Sequence, residues 1–126
     1  MVSRAEAVLA AEDFISGQDY TDECRAKGLA FAFEEGEEAL DRQGIMEVTR
    51  RRHDTLERKA CAAYRWEKDG EAYWTVVFRY TRRLGPRFEG LGRAVRLEEK
   101  PWGDLWDPRV ERNDVVLAEL AANSLL

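Results

Sequence analysis

The feature that most constrains this chain is an alternation of apolar and other residues on both sides of a short turn signal, between residues 59 and 82. The alternating apolar residues are, before the turn, Ala62, Tyr64 and Trp66 and, after it, Trp74, Val76, Phe78 and Tyr80. Side chains two positions apart share one face of a strand, and the sequence KDG between the two runs has hairpin-turn chemistry. The pattern therefore predicts a β-hairpin over about residues 59–82, with an aromatic face that helices must cover.

A helix is predicted near the N-terminus. Ser3 followed by Glu6 fits a capping box, in which the serine side chain accepts a hydrogen bond from a free amide and the glutamate bonds back to the cap. Gly17 offers a left-handed terminator, which places this helix at about residues 4–16. Its expected apolar face consists of Ala5, Val8, Leu9 and Ile15.

A second helix is predicted to follow, with Thr21 as its N-cap and Gly44 at its C-terminal end. One stripe of this helix would carry Leu29, Phe33, Gly36 and Leu40. A short alternating strand at LAFAF, residues 29–33, is the alternative. Residues 45–57 fit both a helix face and a strand, and the sequence leaves that choice open.

The C-terminal half adds a third strand and a last helix. Val95 and Leu97 alternate with charged residues in RAVRLEE, whereas Asn113 and Asp114 can cap a helix. The apolar residues of that helix would be Val116, Leu117, Leu120 and Ala121. The predicted fold is therefore α+β: two N-terminal helices, a central antiparallel sheet of three to four strands, and a C-terminal helix.

Composition supports one soluble globular domain over residues 1–126, since 44% of the residues are hydrophobic and 36% are charged. No apolar run approaches the roughly 20 residues that a membrane-spanning helix needs. Glu6, Glu12 and Asp13 interrupt what a signal peptide would keep uncharged, so we expect a cytoplasmic protein. Cys24 and Cys61 lack CxxC spacing, and a reduced pair is expected.

The charges are unevenly distributed around a net charge of −5. An acidic run at 34–41 would place Glu34 and Glu38 on one helical face, together with Asp41. The basic residues form two clusters, the first made of Arg50, Arg51 and Arg52 and the second of Arg79, Arg82, Arg83 and Arg87. Two oppositely charged surfaces would suit a protein partner, or a homodimer that pairs them, whereas the acidic total disfavours nucleic acid.

The sequence offers little catalytic chemistry. His53 is the only histidine, which excludes metal sites built on histidine pairs. A nucleophilic dyad of His53 with Cys61 is conceivable, but a structural thiol is more common at a strand start. The glycine-rich stretch at 85–93 lacks the Lys-Ser/Thr of a P-loop and the GxGxxG of a dinucleotide fold. No cofactor is expected, and binding is favoured over catalysis.

The segment PWGDLWDP, residues 101–108, is predicted to be a loop, yet it holds Trp102 and Trp106 among four tryptophans in the chain. Two interpretations stay open. The loop could fold back as a lid that protects the apolar sheet, or it could present its indoles to a partner, since tryptophan is enriched at binding hot spots.

These features favour a small protein-binding module that acts stoichiometrically, such as an immunity protein, an antitoxin, a phage-encoded inhibitor or an adaptor. Its expected contact residues are Trp102 and Trp106 with the acidic and basic clusters above. The alternative is a ligand-binding or enzymatic α+β domain whose pocket is lined by Trp66, Trp74, Phe78 and Tyr80. Nucleic-acid binding through the arginines and stacking tryptophans fits the residue types but opposes the net charge.

Overall fold

The computed structural model describes residues 1–17, 54–81 and 92–111. These ranges contain one helix and four strands, namely α1 (Arg4–Ser16), β1 (Ala62–Lys68), β2 (Glu71–Arg79), β3 (Gly92–Glu99) and β4 (Leu105–Glu111). The strands form one antiparallel sheet in the order β1-β2-β3-β4, each strand pairing with its neighbour along the chain. The α+β class and the antiparallel sheet are confirmed. The predicted second helix, its alternative strand at 29–33 and the C-terminal helix lie outside the described residues.

Helix α1 begins and ends where the sequence predicts. The Glu6 amide donates to Ser3 Oγ at 3.1 Å, and the Ser3 hydroxyl donates to Glu6 Oε1 at 3.2 Å. Gly17 ends the helix differently from the prediction, because its φ is −79° rather than positive. Its amide still donates to the Asp13 carbonyl at 2.9 Å, so the last turn is closed without a left-handed residue.

The apolar face predicted for α1 is wrong at two of its four positions. Leu9 is 59% exposed and Ala5 is exposed, whereas Ala7, Ala11 and Ile15 are fully buried. The buried residues recur every four positions and form one stripe. Two of them are alanines, whose small side chains let the helix backbone approach the large residues of the sheet, so small size rather than hydrophobicity selects the buried face.

The predicted hairpin is confirmed as β1 and β2. Asp69 and Gly70 connect the strands with φ values of 54° and 79°. Positive φ at both central residues defines a type I′ turn, whose twist matches that of the flanking strands. The turn fixes the register, in which Trp66 lies opposite Tyr73.

The main core lies between α1 and one face of the sheet. Helix α1 contacts all four strands. The buried residues of this core are Val2, Ala7, Ala11 and Ile15 from the N-terminal segment, Leu56, Trp74, Val76, Phe78, Val95, Leu97 and Val110. The expectation that a helix covers the aromatic face of β2 is therefore confirmed for α1.

Strand β4 corrects the sequence prediction of a loop at 101–108. The connecting turn is confined to residues 101–104, and the chain is a strand again from Leu105. A β-bulge places Asp107 and Pro108 together opposite Leu97, with Asp107 at a φ of 54°. Proline lacks an amide and normally breaks a strand, but an edge strand with a bulge accommodates it.

Two further contacts join the sheet to its surroundings. Gly92, the first residue of β3, approaches the backbone of β2 so closely that a Cβ atom there would collide with the carbonyl oxygen of Phe78. In the segment that the sequence left open, Asp54 and Thr55 are helical and Leu56 forms an isolated bridge with Tyr80. Residues 45–53 of that segment lie outside the described residues.

Candidate functional site

The sheet face turned away from α1, here called the distal face, carries aromatic residues of the described strands that do not belong to the main core. The register aligns Trp66, Tyr73, Glu98 and Trp106 in one row across the four strands, each directly opposite the next. Neighbouring strands lie about 4.8 Å apart, so the row spans roughly 14 Å. It presents an aromatic residue at each end and a carboxylate between them.

The first half of this row is held together by stacking and hydrogen bonds. The rings of Trp66 and Tyr73 stack with centroids 4.5 Å apart, and Trp66 Nε1 donates to Thr75 Oγ1 at 2.8 Å. The Tyr73 hydroxyl donates to Glu71 at 2.6 Å, and this bond, with desolvation, raises the pKa of Tyr73 above its usual value. Tyr73 is therefore a neutral donor at physiological pH.

Burial decreases along the distal face toward the two hairpin turns. At one end Ala62, Val77 and Ala94 are buried in a second, smaller apolar cluster. At the middle level the guanidinium of Arg96 lies over the Tyr73 ring, 5.7 Å from its centroid. At the turn end the side chains are half-buried or exposed, so this end is the part of the face that a partner can reach.

At that end lies the tryptophan corner, defined as Glu98, Lys100, Trp102, Asp104 and Trp106. The indoles of Trp102 and Trp106 pack edge to face, with centroids 6.1 Å apart and planes at 83°. Trp102 Nε1 donates to Asp104 Oδ2 at 2.6 Å. Because the Lys100 amide donates to the Asp104 carbonyl at 2.8 Å, the turn that carries Trp102 is closed by the backbone.

Lys100 occupies a position between the acid and the indole of the tryptophan corner. Its Nζ lies 3.1 Å from Glu98 Oε2 and 5.6 Å from the centroid of the Trp106 ring. The ammonium therefore makes an ion pair and a cation–π contact together. The arrangement shows that a positive charge fits between Glu98 and Trp106.

In the part of the chain that the structure describes, the two indoles do not cover the apolar core. Trp102 is 64% exposed and Trp106 is 52% exposed, and neither belongs to an apolar cluster of the described core. The bulge in β4 explains the position of Trp106. It sets Val110 on the face toward α1 while Trp106 stays on the distal face, although their even spacing would place both on one side of a regular strand.

The register separates the residues of the alternative pocket. Trp74 and Phe78 are buried in the core facing α1, and half-buried Tyr80 packs against that core. Trp66 lies on the distal face, because it pairs with Tyr73 and not with Trp74. These four residues therefore do not share one wall. The hydroxyl of Tyr80 accepts a bond from Arg93 Nε at 2.9 Å.

A buried carboxylate lies on the side of the sheet that faces α1. Glu99 has a side chain only 7% exposed and accepts from Arg65 Nη2 at 2.9 Å and from Trp74 Nε1 at 3.0 Å. The bond from Arg65 is the main cause that lowers the pKa of Glu99. An ionised acid with its oxygens already bonded serves structure better than proton transfer.

Cys61, the thiol of the conceivable dyad, is free and half-buried. Burial raises the pKa of this thiol, although the nearby Arg79 acts in the opposite direction. A raised pKa disfavours the thiolate that a nucleophile requires. His53 lies outside the described residues. Within the described ranges no three histidine, cysteine, aspartate or glutamate side chains are grouped to hold a metal ion.

The described structure brings together only part of the predicted contact set. Outside the described residues lie Glu34, Glu38, Arg50, Arg51, Arg52, Arg82, Arg83 and Arg87, together with Asp41 and Cys24. Sequence reasoning missed Glu98, Lys100 and Tyr73 as neighbours of the tryptophans. The signal for Tyr73 was present, because a two-residue turn at Asp69 sets Trp66 opposite it.

Comparison with known protein families, characterised proteins and solved structures finds no match for this chain. Among residues 1–17, 54–81 and 92–111, no helix is both long enough and apolar enough to cross a bilayer.

Proposed function

We propose that this protein is a small binding module that acts stoichiometrically on a protein partner, as an immunity protein, antitoxin, inhibitor or adaptor does, and that the tryptophan corner is its contact surface. The observation that carries the proposal is the exposure of Trp102 and Trp106, at 64% and 52%, in a fixed edge-to-face pair. Exposed tryptophans in contact with each other form an apolar patch, which in a soluble protein commonly marks an interaction site.

The rigidity of this patch supports the proposal further. Trp102 is fixed by its bond to Asp104 and by the closed turn, and Trp106 lies in a strand. Side chains that are ordered before binding lose little conformational entropy when a partner covers them. Such anchors contribute most of the free energy at protein interfaces, with losses of about 2 kcal/mol or more on truncation to alanine.

The experiment compares capture by three forms of the biotinylated protein from a lysate of cells that express it naturally. The wild type should retain a protein that the double variant Trp102→Ala/Trp106→Ala retains at least about tenfold more weakly. Leu9→Ala is the matched control, because Leu9 is also a large exposed apolar residue, but lies on α1. Equal retention by the wild type and the double variant would contradict the proposal.

Stoichiometry is measured on the purified complex. Sedimentation velocity should give a complex with a fixed ratio of the two chains, and calorimetric titration should saturate at that ratio. A captured protein that the chain modifies chemically in excess over its own amount would instead indicate an enzyme. The same sedimentation data on the free protein test the homodimer, which stays a prediction.

A further inference from the structure

The partner's chemistry can be narrowed further by the charges around the exposed indoles. The two hairpin turns of the sheet lie at the same end, because Ala72 of β2 pairs with Glu99 of β3. Residues 67–71 and 98–107 hold seven carboxylates and two lysines, hence a net charge of −5. The guanidinium groups of Arg65 and Arg109 pair with Glu67, Glu99 and Asp107 at this end, and counting these two arginines leaves a net charge of −3 around the tryptophan corner.

We propose that the tryptophan corner binds an arginine or lysine side chain of a basic segment in the partner protein, and that Lys100 occupies that cation site when the partner is absent. The inference rests on the proposed function and adds the chemical class of the partner segment. An incoming cation would displace the Lys100 ammonium and take its two contacts, the ion pair with Glu98 and the face of Trp106.

The geometry of the site gives three reasons for this assignment. A cation already fits there, since Lys100 Nζ lies 3.1 Å from Glu98 Oε2 while it contacts the Trp106 ring. The site is open, because the side chains of Lys100 and Glu98 are 30% and 28% exposed and half of Trp106 faces solvent. The backbone holds the ring and the acid in register, since Glu98 and Trp106 are direct cross-strand partners.

The distal face uses the same chemistry a second time. The guanidinium of Arg96 lies 5.7 Å from the centroid of the Tyr73 ring. Tyr73 lies on β2, directly opposite Glu98 of β3. Tryptophan binds cations more strongly than tyrosine, and arginine engages ring faces more often than lysine. An arginine of the partner would therefore bind the Trp106 ring more favourably than the Lys100 ammonium does.

The probe is an acetylated and amidated peptide of three Gly-Arg repeats, with a Gly-Glu peptide of the same length for comparison. Binding to the ¹⁵N-labelled protein at about 0.15 M salt is followed by the indole N–H signals. The signals of Trp102 and Trp106 should move with the Gly-Arg peptide and not with the Gly-Glu peptide. The indole N–H signals of Trp66 and Trp74 should not move on addition of peptide. In each variant, their unchanged positions also show that the fold is intact.

Three substitutions test the site itself. Glu98→Gln and Trp106→Ala should each weaken binding of the Gly-Arg peptide by about two- to fivefold, as expected for one exposed ion pair or one cation–π contact. Lys100→Met keeps an unbranched side chain of four heavy atoms and removes the ammonium, so it should tighten binding by about the same factor.

Lys68→Met is the matched control for Lys100→Met. It removes one positive charge from the same end of the sheet, but Lys68 lies on β1, about 10 Å or two strand spacings from the strand of Glu98. Screening over such a distance should limit its effect to less than about twofold. An equal effect of the two lysine variants would overturn the cation site, because net charge alone would then explain it.

Two other results would also overturn the assignment: equal binding of the Gly-Arg and Gly-Glu peptides, or no shift of either corner indole at millimolar Gly-Arg peptide. Neither would remove the proposed function. Capture of a partner that still depends on Trp102 and Trp106 would leave a protein-binding module whose partner presents a different chemistry. If partner capture did not depend on the two tryptophans and the Gly-Arg peptide did not bind, both the proposed binding module and the cation site would be refuted.

Discussion

The packing of α1 against the sheet predicts that two substitutions only two residues apart change the free energy of unfolding by very different amounts. Ala11 has no exposed surface and faces the core, whereas Leu9 is 59% exposed. Ala11→Leu adds three carbon atoms at a position without free space. Overpacking of a core costs about 1 to 3 kcal/mol, and we expect the upper half of that range, about 2 to 3 kcal/mol, because the neighbouring strands limit how far α1 can move.

This loss of stability converts into a measurable melting temperature. The unfolding entropy is about 2.1 cal/mol/K per residue, or about 0.26 kcal/mol/K for this length, so Ala11→Leu should lower Tm by about 8 to 11 °C. Leu9→Ala should change the free energy of unfolding by less than about 0.5 kcal/mol and Tm by less than about 2 °C. Thermal unfolding followed by circular dichroism, with urea unfolding as a second measure, checks both values.

A reversed order of the two effects would refute the reasoning. If Leu9→Ala lowered Tm strongly and Ala11→Leu did not, α1 would turn its Leu9 side toward the sheet, as the sequence pattern alone predicts. Should the leucine variant fail to fold, Ala11→Val adds two carbon atoms instead of three and should show a smaller loss of the same sign. An unchanged Tm for the valine variant would contradict the close contact of α1 with the sheet.

Three further predictions concern backbone contact, ionisation and thiol reactivity. Gly92→Ala should lower the free energy of unfolding by about 2 kcal/mol or more, since its Cβ would meet the Phe78 carbonyl; an unchanged urea midpoint would argue against that contact. The lowered pKa of Glu99 implies a contribution that is present in full above its unfolded pKa of about 4.3 and is lost as the pH falls through the folded value. Urea midpoints measured from pH 6 to pH 2 should therefore fall less steeply in Glu99→Gln than in the wild type. In a Cys24→Ser background, iodoacetamide should alkylate Cys61 at pH 7.5 more slowly than it alkylates free cysteine, because burial raises the pKa of the thiol; faster alkylation would revive a nucleophilic role.

Local signals in the sequence were enough to predict the helix at 4–16 and the hairpin. Ser3 and Glu6 lie close enough in sequence to cap a helix whatever the rest of the chain does, and Asp69-Gly70 favours its turn in the same way. The buried face of α1 could not be predicted by the same means. It depends on how closely Ala7 and Ala11 approach the sheet, which is a property of the packed elements and not of the helix alone.

For the candidate site, the sequence pointed to the two tryptophans but not to their neighbours or their arrangement. Trp102 and Trp106 stand out by type, yet the side of the sheet on which Trp106 lies depends on the bulge at Asp107, in a segment that the sequence predicted to be a loop. Glu98 belonged to a correctly predicted strand, but its place beside Trp106 follows only from the pairing of β3 with β4. That pairing includes a register shift, which no local signal in the sequence indicates.

The bulge in β4 also determines how the length of the strand relates to the two faces of the sheet. The number of residues between Trp106 and Val110 determines on which side of the sheet each side chain lies. Deletion of either bulge residue would leave an odd spacing between these two side chains, and a regular strand with that spacing would still place them on opposite faces. The bulge therefore compensates for one extra residue in β4, and a change that flattened it without a deletion would bring Trp106 and Val110 to the same face of the sheet.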